Sequence, residues 1–266
     1  MKTISRIIRH GHKQTVKNHK TGTEAGLDKS KIYLIKDYAQ KIYLQNKGAY
    51  KIDAASLPRN HDTSKIISEE LRSISNNVSG PNIDERLAPF TGKNGETVLI
   101  SSELPEIWGK AEKEYQTVEG IEKEDRGMLA WAKYGLDKKT DGITLKESAY
   151  RIGDYILENI LEENDQIIGV SNSGFIEPFM YATLDMIEGK DKSPVEYFYE
   201  TGGAVKPLEG LDIIYQKGYS IANMVLPTKK IVSVDIDILK EQKEWLKKYS
   251  VLEEVKENGF KMETNV

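Results

Sequence analysis

A group of anion-binding side chains follows the first apolar segment of the chain. Arg9, His10 and Gly11 come directly after a short β-favouring run, and His12 and Lys13 add further basic groups. An arginine guanidinium binds phosphoryl oxygens through two parallel N–H bonds. A histidine whose second nitrogen is held by a backbone carbonyl presents a lone pair that can attack phosphorus. This stretch therefore indicates a site for a phosphoryl group.

Two other segments carry polar side chains where predicted strands end. Arg59 lies at the end of the second predicted strand, and Asn172 and Ser173 lie at the end of the third. In α/β sheets, ligands bind at the carboxyl ends of the strands. If the three strands are neighbours, these side chains surround one site together with Arg9 and His10.

The elements that would carry these residues alternate between strand and helix patterns. Strands are predicted at Thr3–Arg9, Ile52–Leu57 and Gln166–Ser171, with a half-buried strand around Val232 and Val234. Helices are predicted at Lys31–Leu44 and Thr63–Ile74, after a capping box at Thr144, at Pro178 and from about Ile238. Such alternation predicts a three-layer α/β/α sandwich with a mainly parallel sheet.

The domain organisation follows from length and pattern. Residues 1–266 have a size that fits one domain with a sizeable core. Residues from about 76 to 143 show a less regular pattern, and we expect an insertion or a lid over the sheet edge. The longest apolar runs are far too short to cross a bilayer.

Composition excludes several classes of function. The chain has no cysteine, so disulfides, thiolate nucleophiles and cysteine metal sites are excluded. Lys plus Arg total 38 against 42 Asp plus Glu, and the net charge of −4 gives no support to a nucleic acid or a membrane as partner. The four histidines show no ligand spacing, and we expect no metal and no cofactor. The N-terminus lacks a signal-peptide core, so we expect a cytoplasmic protein.

Two motifs resemble those of a known family. "IIRHG" is similar to the hydrophobic strand and Arg-His-Gly of the histidine phosphatase, or phosphoglycerate mutase-like, superfamily. The resemblance places the family's nucleophilic histidine at His10 and its first phosphate-binding arginine at Arg9. "SLPRNHDTSKII" resembles the second motif, with Arg59 and Thr63 at the family's spacing. A phosphoglycerate mutase-like fold is implied.

Two more segments resemble the family but depart from it at central positions. "IDERLAPF" resembles the acid-bearing loop, yet Ala88 and Pro89 stand where the family has its glutamate. "IIGVSNSGFI" resembles the fourth motif, with Asn172 in place of the second histidine. Glu106 repeats the Leu-x-Glu form and is the candidate replacement acid, with Glu103 and Glu177 as alternatives.

The resemblance implies a phosphomonoester hydrolase that works through a phosphohistidine at His10, with catalysis weakened by the two departures. The substrate would be a phosphorylated small molecule or a phosphoprotein. The alternative is a catalytically inactive relative that binds phosphorylated ligands or a protein partner. A mutase is disfavoured, because the acid is missing. The predicted catalytic residues are His10, Arg9, Arg59 and Glu106, and the predicted substrate-binding residues are Gly11, Lys13, Asn172 and Ser173.

Overall fold

The structure is a computed structural model, and a mixed sheet forms its centre. The structure describes residues 2–14, 26–87, 125, 129, 145–161, 165–189 and 192–248. In this part of the chain the strands are β1 (Lys2–Arg9), β2 (Tyr50–Ala54), β3 (Val78–Ile83), β4 (Gln166–Ser171), β5 (Gly210–Gln216), β6 (Ile221–Val225) and β7 (Ile231–Asp235). The helices are α1 (Ile32–Gln45), α2 (Pro58–Ile74), α3 (Leu145–Leu161), α4 (Ile176–Glu188), α5 (Pro194–Thr201) and α6 (Ile236–Lys247).

The strand order is β3-β2-β4-β1-β5-β6-β7. The first four strands in this order pair in parallel, and β5, β6 and β7 add an antiparallel meander. Because β6 runs against β5, it points the same way as the parallel group. Five of these seven strands therefore share one direction, and the predicted α/β sandwich is confirmed.

Helices cover the two faces of the sheet. On one face, α1 and α2 pack over Ile8, Ile52 and Val170. On the other face, α3, α4 and α6 pack over Ile7 and Ile213. Adjacent residues of β1 thus belong to different cores, because successive side chains of a strand point to opposite faces. The apolar stripe of α3 is buried, and it consists of Ala149, Ile152, Ile156 and Ile160.

Several element boundaries differ from the sequence predictions. The second strand ends at Ala54, and α2 begins at Pro58 because proline is tolerated in the first helical turn. The last helix begins at Ile236, since the Asp235 carboxylate accepts a hydrogen bond from the amide of Asp237 and caps it. Strand β5 was missed by the sequence analysis.

Strand β3 lies inside the range 76–143, where an insertion or lid was predicted. It is an edge strand that pairs in parallel with β2 and is largely exposed. Its sequence "VSGPNI" lacks the alternation of a half-buried strand, so the pattern gave no signal for it. Residues 88–124, 126–128 and 130–144 lie outside the described residues, and the lid stays a prediction.

The carboxyl ends of β1, β4 and β2 meet at one edge of the sheet. Arg9 lies beside Ser171 in the parallel register. The pairing continues past the strands: the amide of His10 donates to the Ser171 carbonyl at 3.0 Å, and that of Ala55 donates to Val170 at 2.9 Å. The segments after these strands are therefore held next to one another by backbone bonds.

Gly210 permits the close approach of β5 to the end of β1, and we expect Gly210→Ala to disrupt it. A Cβ at this position would lie 1.8 Å from the carbonyl oxygen of Ile7, which is backbone and cannot turn away. We expect a loss of at least about 3 kcal/mol in the free energy of unfolding, at the upper end of overpacking costs. Urea unfolding measures it. Gly26→Ala is the control, because its Cβ would meet nothing within 4 Å; equal stability of the two variants would contradict this account.

Candidate active site

His10 is buried at the end of β1, with both ring nitrogens engaged. Its Nε2 accepts a hydrogen bond from Nε of Arg59 at 2.8 Å, and its Nδ1 lies 2.6 Å from the carbonyl oxygen of Gly11. Arginine can only donate, so Nε2 carries the lone pair and Nδ1 carries the proton. The ring is thereby fixed in one tautomer, with the nucleophilic nitrogen facing a guanidinium.

The surroundings of His10 keep its imidazole neutral. Burial, together with the positive charges of Arg59, Arg9 and Lys13, lowers the pKa of His10 to about 3, although the hydrogen bond to the Gly11 carbonyl opposes this shift. Both desolvation and nearby cations disfavour the imidazolium. The lone pair on Nε2 is therefore present throughout the neutral and mildly acidic range.

Arg59 is positioned by the first turn of α2. Its Nη2 donates to Oδ1 of Asn172 at 3.1 Å, so one guanidinium joins α2 to the loop after β4. The hydroxyl of Thr63 donates to the Arg59 carbonyl at 2.7 Å and accepts the Gly11 amide at 3.0 Å. Burial and the charge of Arg9 lower the pKa of Arg59 to about 10, which leaves it cationic at neutral pH.

Arg9 is held by a segment that is remote in sequence. Its Nη1 donates to the carbonyl of Val205 at 2.8 Å. The backbone amide of Arg9 donates to the Glu209 carbonyl, and its own carbonyl accepts a hydrogen bond from the Leu208 amide. Val205 follows α5 and the glycine pair 202–203 that ends this helix. This turn forms one wall of the site.

The side-chain amide of Asn172 is a buried hydrogen-bond donor. The side chain is 5% exposed, and within the described residues its Nδ2 has no hydrogen-bond partner. A buried polar group without a partner is costly, and a ligand oxygen can satisfy it. The side chain does not cap α4, because its other atom, Oδ1, accepts from Arg59.

Glu177 is a buried carboxylate that joins two loops. It accepts hydrogen bonds from the Ser173 hydroxyl at 2.8 Å, the Gly174 amide at 2.7 Å and the Val205 amide at 2.9 Å. Three donors satisfy the two oxygens of an anion, which fits a structural role better than that of a proton donor. Through Val205, Glu177 also supports the carbonyl that holds Arg9.

The structure brings together most of the predicted site residues. Gly11 lies against Ile35, where a Cβ would approach Cδ1 at 2.7 Å, and Ser173 is bonded to Glu177. Lys13 is exposed, and its charge contributes to the lowered pKa of His10. Glu106 lies outside the described residues, as do Glu103, Ala88 and Pro89. The acid therefore stays a prediction, and so do the roles of the other residues.

The described residues contain neither a candidate metal site nor a candidate membrane-spanning helix. Among the described residues, no cluster of three or more carboxylate or imidazole side chains has the geometry of a metal site. No helix in the same ranges has the length and apolar character needed to cross a bilayer.

Comparisons with known proteins identify the fold. A phosphoglycerate mutase from Bacillus anthracis matches with a TM-score of 0.53 at 13% identity, over 91% of this chain and 97% of the mutase. A mycobacterial glucosyl-3-phosphoglycerate phosphatase, solved with VO3, matches with a TM-score of 0.51 at 15% identity, over 79% of this chain and 92% of the phosphatase. The chain has a phosphoglycerate mutase-like fold. The resemblance that the four motifs predicted is thus confirmed for the fold, although no family model and no curated protein sequence matches the chain.

In this phosphoglycerate mutase-like chain, we expect the ring of His10 to stay neutral from pH 8 down to pH 5. The physical reason is the lowered pKa of about 3 that burial and the arginines impose. Nitrogen-15 NMR of labelled histidine should show a protonated Nδ1 and an unprotonated Nε2 over this range. His10→Asn assigns the resonance. Imidazolium formation with a midpoint near the ordinary value of about 6.5 would contradict the prediction.

We expect Glu177→Gln to destabilise the two loops by about 1–3 kcal/mol. An amide has one acceptor oxygen, so either the Gly174 or the Val205 amide would face an N–H group instead of an oxygen. Urea unfolding measures the loss. Ser173→Ala is the matched control, because it removes one hydroxyl donor and leaves both backbone bonds intact; a Gln variant no less stable than this control would refute the bridging role.

Proposed function

We propose that the protein is a phosphatase of the histidine phosphatase type, which hydrolyses phosphomonoesters through a phosphohistidine on His10. The observation that carries this proposal is the state of His10. A buried, neutral imidazole is held by its Nδ1 proton, and its Nε2 lone pair lies 2.8 Å from a guanidinium nitrogen. A nucleophile beside a cation is the arrangement that transfer of an anionic phosphoryl group requires.

The reaction would proceed in two displacements. The Nε2 lone pair of His10 attacks phosphorus, a P–N bond forms, and the P–O bond to the leaving group breaks. The leaving oxygen departs with the bonding electrons and takes up a proton. Water then attacks the phosphohistidine, loses a proton and breaks the P–N bond, which returns neutral His10 and inorganic phosphate.

The surrounding groups have complementary tasks. Arg9 and Arg59 bind the phosphoryl oxygens and stabilise the charge that spreads over them in the transition state. The Nδ2 group of Asn172 donates to one of these oxygens, which satisfies an atom that has no partner within the described residues. An amide supplies a neutral bond where a charged donor would supply a stronger one. We therefore expect weaker transition-state stabilisation than in a site with two histidines.

The proton donor is proposed to be Glu106. A general acid contributes about 10²–10⁴-fold to rate, and its contribution is largest for leaving groups that are poor without protonation. Glu177 is disfavoured for this task, because its carboxylate already accepts bonds from the Ser173 hydroxyl and the Gly174 and Val205 amides.

A second candidate function is a binding protein without turnover. The observation in its favour is that Arg59 occupies the lone pair that must attack phosphorus. Such a protein would bind phosphorylated ligands through the same arginines and would leave His10 unmodified. Its physiological partner would be a phosphorylated small molecule or a phosphoprotein, as for the enzyme.

A leaving-group series separates these possibilities. Aryl phosphates leave with little help, whereas alkyl phosphates need an acid. We expect wild type to hydrolyse both classes, and Glu106→Gln to slow alkyl phosphates by at least about 10²-fold while it changes aryl phosphates much less. His10→Ala should abolish both activities.

The controls of this series identify the failing step. Glu103→Gln tests the neighbouring carboxylate in the same way as Glu106→Gln. An acid-labile phosphoryl label on wild type that is absent from His10→Ala supports the covalent intermediate. Turnover that survives His10→Ala would mean that another residue is the nucleophile. Absence of turnover and of label, with vanadate still bound, would favour the binding protein.

A further inference from the structure

Two of the hydrogen bonds that Arg59 makes cannot both persist when a phosphoryl group is attacked. Its Nε donates to Nε2 of His10 at 2.8 Å, and its Nη2 donates to Oδ1 of Asn172 at 3.1 Å. An imidazole nitrogen has a single lone pair in the ring plane. While the guanidinium occupies that lone pair, Nε2 cannot form a bond to phosphorus.

The second bond of Arg59 depends on the chemistry of Asn172. Its amide oxygen is an acceptor, so it holds Nη2 of the guanidinium while Nε donates to His10. A side chain with only donors at this place would leave Nη2 of Arg59 without this partner. The oxygen is also buried, and hydrogen bonds to charged groups are strong where water is excluded.

We propose that Asn172 is a positioning residue that latches Arg59 onto the nucleophilic nitrogen of His10 in the ligand-free protein. The latch opens when a phosphoryl group arrives. The guanidinium then turns from the neutral imidazole to the anionic oxygens, because charge-assisted bonds to an anion are stronger than bonds to neutral acceptors. The inference rests on the proposed role of His10 as the nucleophile.

The two atoms of the Asn172 amide have separate tasks under this proposal. Oδ1 holds Arg59 in the closed state, and Nδ2, which has no partner among the described residues, is available to the incoming phosphoryl oxygen. Arg59 thus covers Nε2 of His10 until a ligand that binds the guanidinium draws it away. Uncharged electrophiles do not bind the guanidinium in this way, so Nε2 of His10 stays covered when they arrive.

The test uses such an electrophile on the ligand-free protein. Diethyl pyrocarbonate acylates an unprotonated imidazole nitrogen, and peptide mass spectrometry reads the rate at His10 separately from the exposed His61. We expect Asn172→Ala and Arg59→Met each to raise the rate at His10 about tenfold, the factor that loss of one hydrogen bond of this class implies. The rate at His61 should not change.

The matched variant is Asn172→Asp, which keeps the size and the acceptor oxygen of the side chain. We expect it to react at His10 no faster than wild type, because its carboxylate holds Arg59 at least as firmly. A general loosening of the site would make Asp and Ala variants equally fast, and that result would overturn the proposal. Wild-type rates in Asn172→Ala would also overturn it, even if Arg59→Met reacts rapidly.

The outcome is independent of turnover. The reaction with diethyl pyrocarbonate needs no substrate, so a protein that fails every phosphatase assay can still show the latch. Conversely, a phosphatase whose His10 reacts equally fast in all four proteins has the proposed function and lacks the latch. Far-ultraviolet circular dichroism of each variant verifies that it is folded before the rates are compared.

Discussion

The hydrogen bond between Nδ1 of His10 and the carbonyl of Gly11 is the interaction on which the site depends. It fixes the ring, assigns the proton to Nδ1 and leaves the lone pair on Nε2. The hydroxyl of Thr63 accepts a hydrogen bond from the amide of the same Gly11, so α2 supports the residue whose carbonyl orients the ring. Because the Gly11 unit serves both purposes, the position of the nucleophile and that of α2 are coupled.

A neutral imidazole also allows two partly buried arginines to lie close together. Burial and the charge of Arg9 both lower the pKa of Arg59, which shows that the two cations are close enough to repel. An imidazolium between them would add a third charge. The site instead has an excess of positive charge that an incoming dianion would neutralise. The neutral ring adds nothing to the repulsion between the two arginines. This imbalance supports the proposed preference for phosphoryl groups.

Sequence analysis could predict the residues at strand ends, since Arg9, His10 and Asn172 each follow a clear apolar run. Arg59 was predicted at the end of a strand but lies in the first turn of α2, which begins at Pro58 after the short connection of residues 55–57. The contact of Val205 with Arg9 could not be predicted, because it depends on where β5 joins the sheet. Periodicity carries no information about pairing between segments.

The hydrogen bond from Arg9 to Val205 joins residues separated by 196 positions. Strand β4, which lies beside β1, is likewise about 160 positions away from it along the chain. During synthesis, the N-terminal strand therefore leaves the ribosome long before the segments that complete its surroundings. Contacts of such range form late and slow the search for the native state. A nascent chain that ends before α3 would expose the face of β1 that carries Ile7, because α3, α4 and α6 cover that face. His10 would gain its full environment only when the second half of the protein has been made.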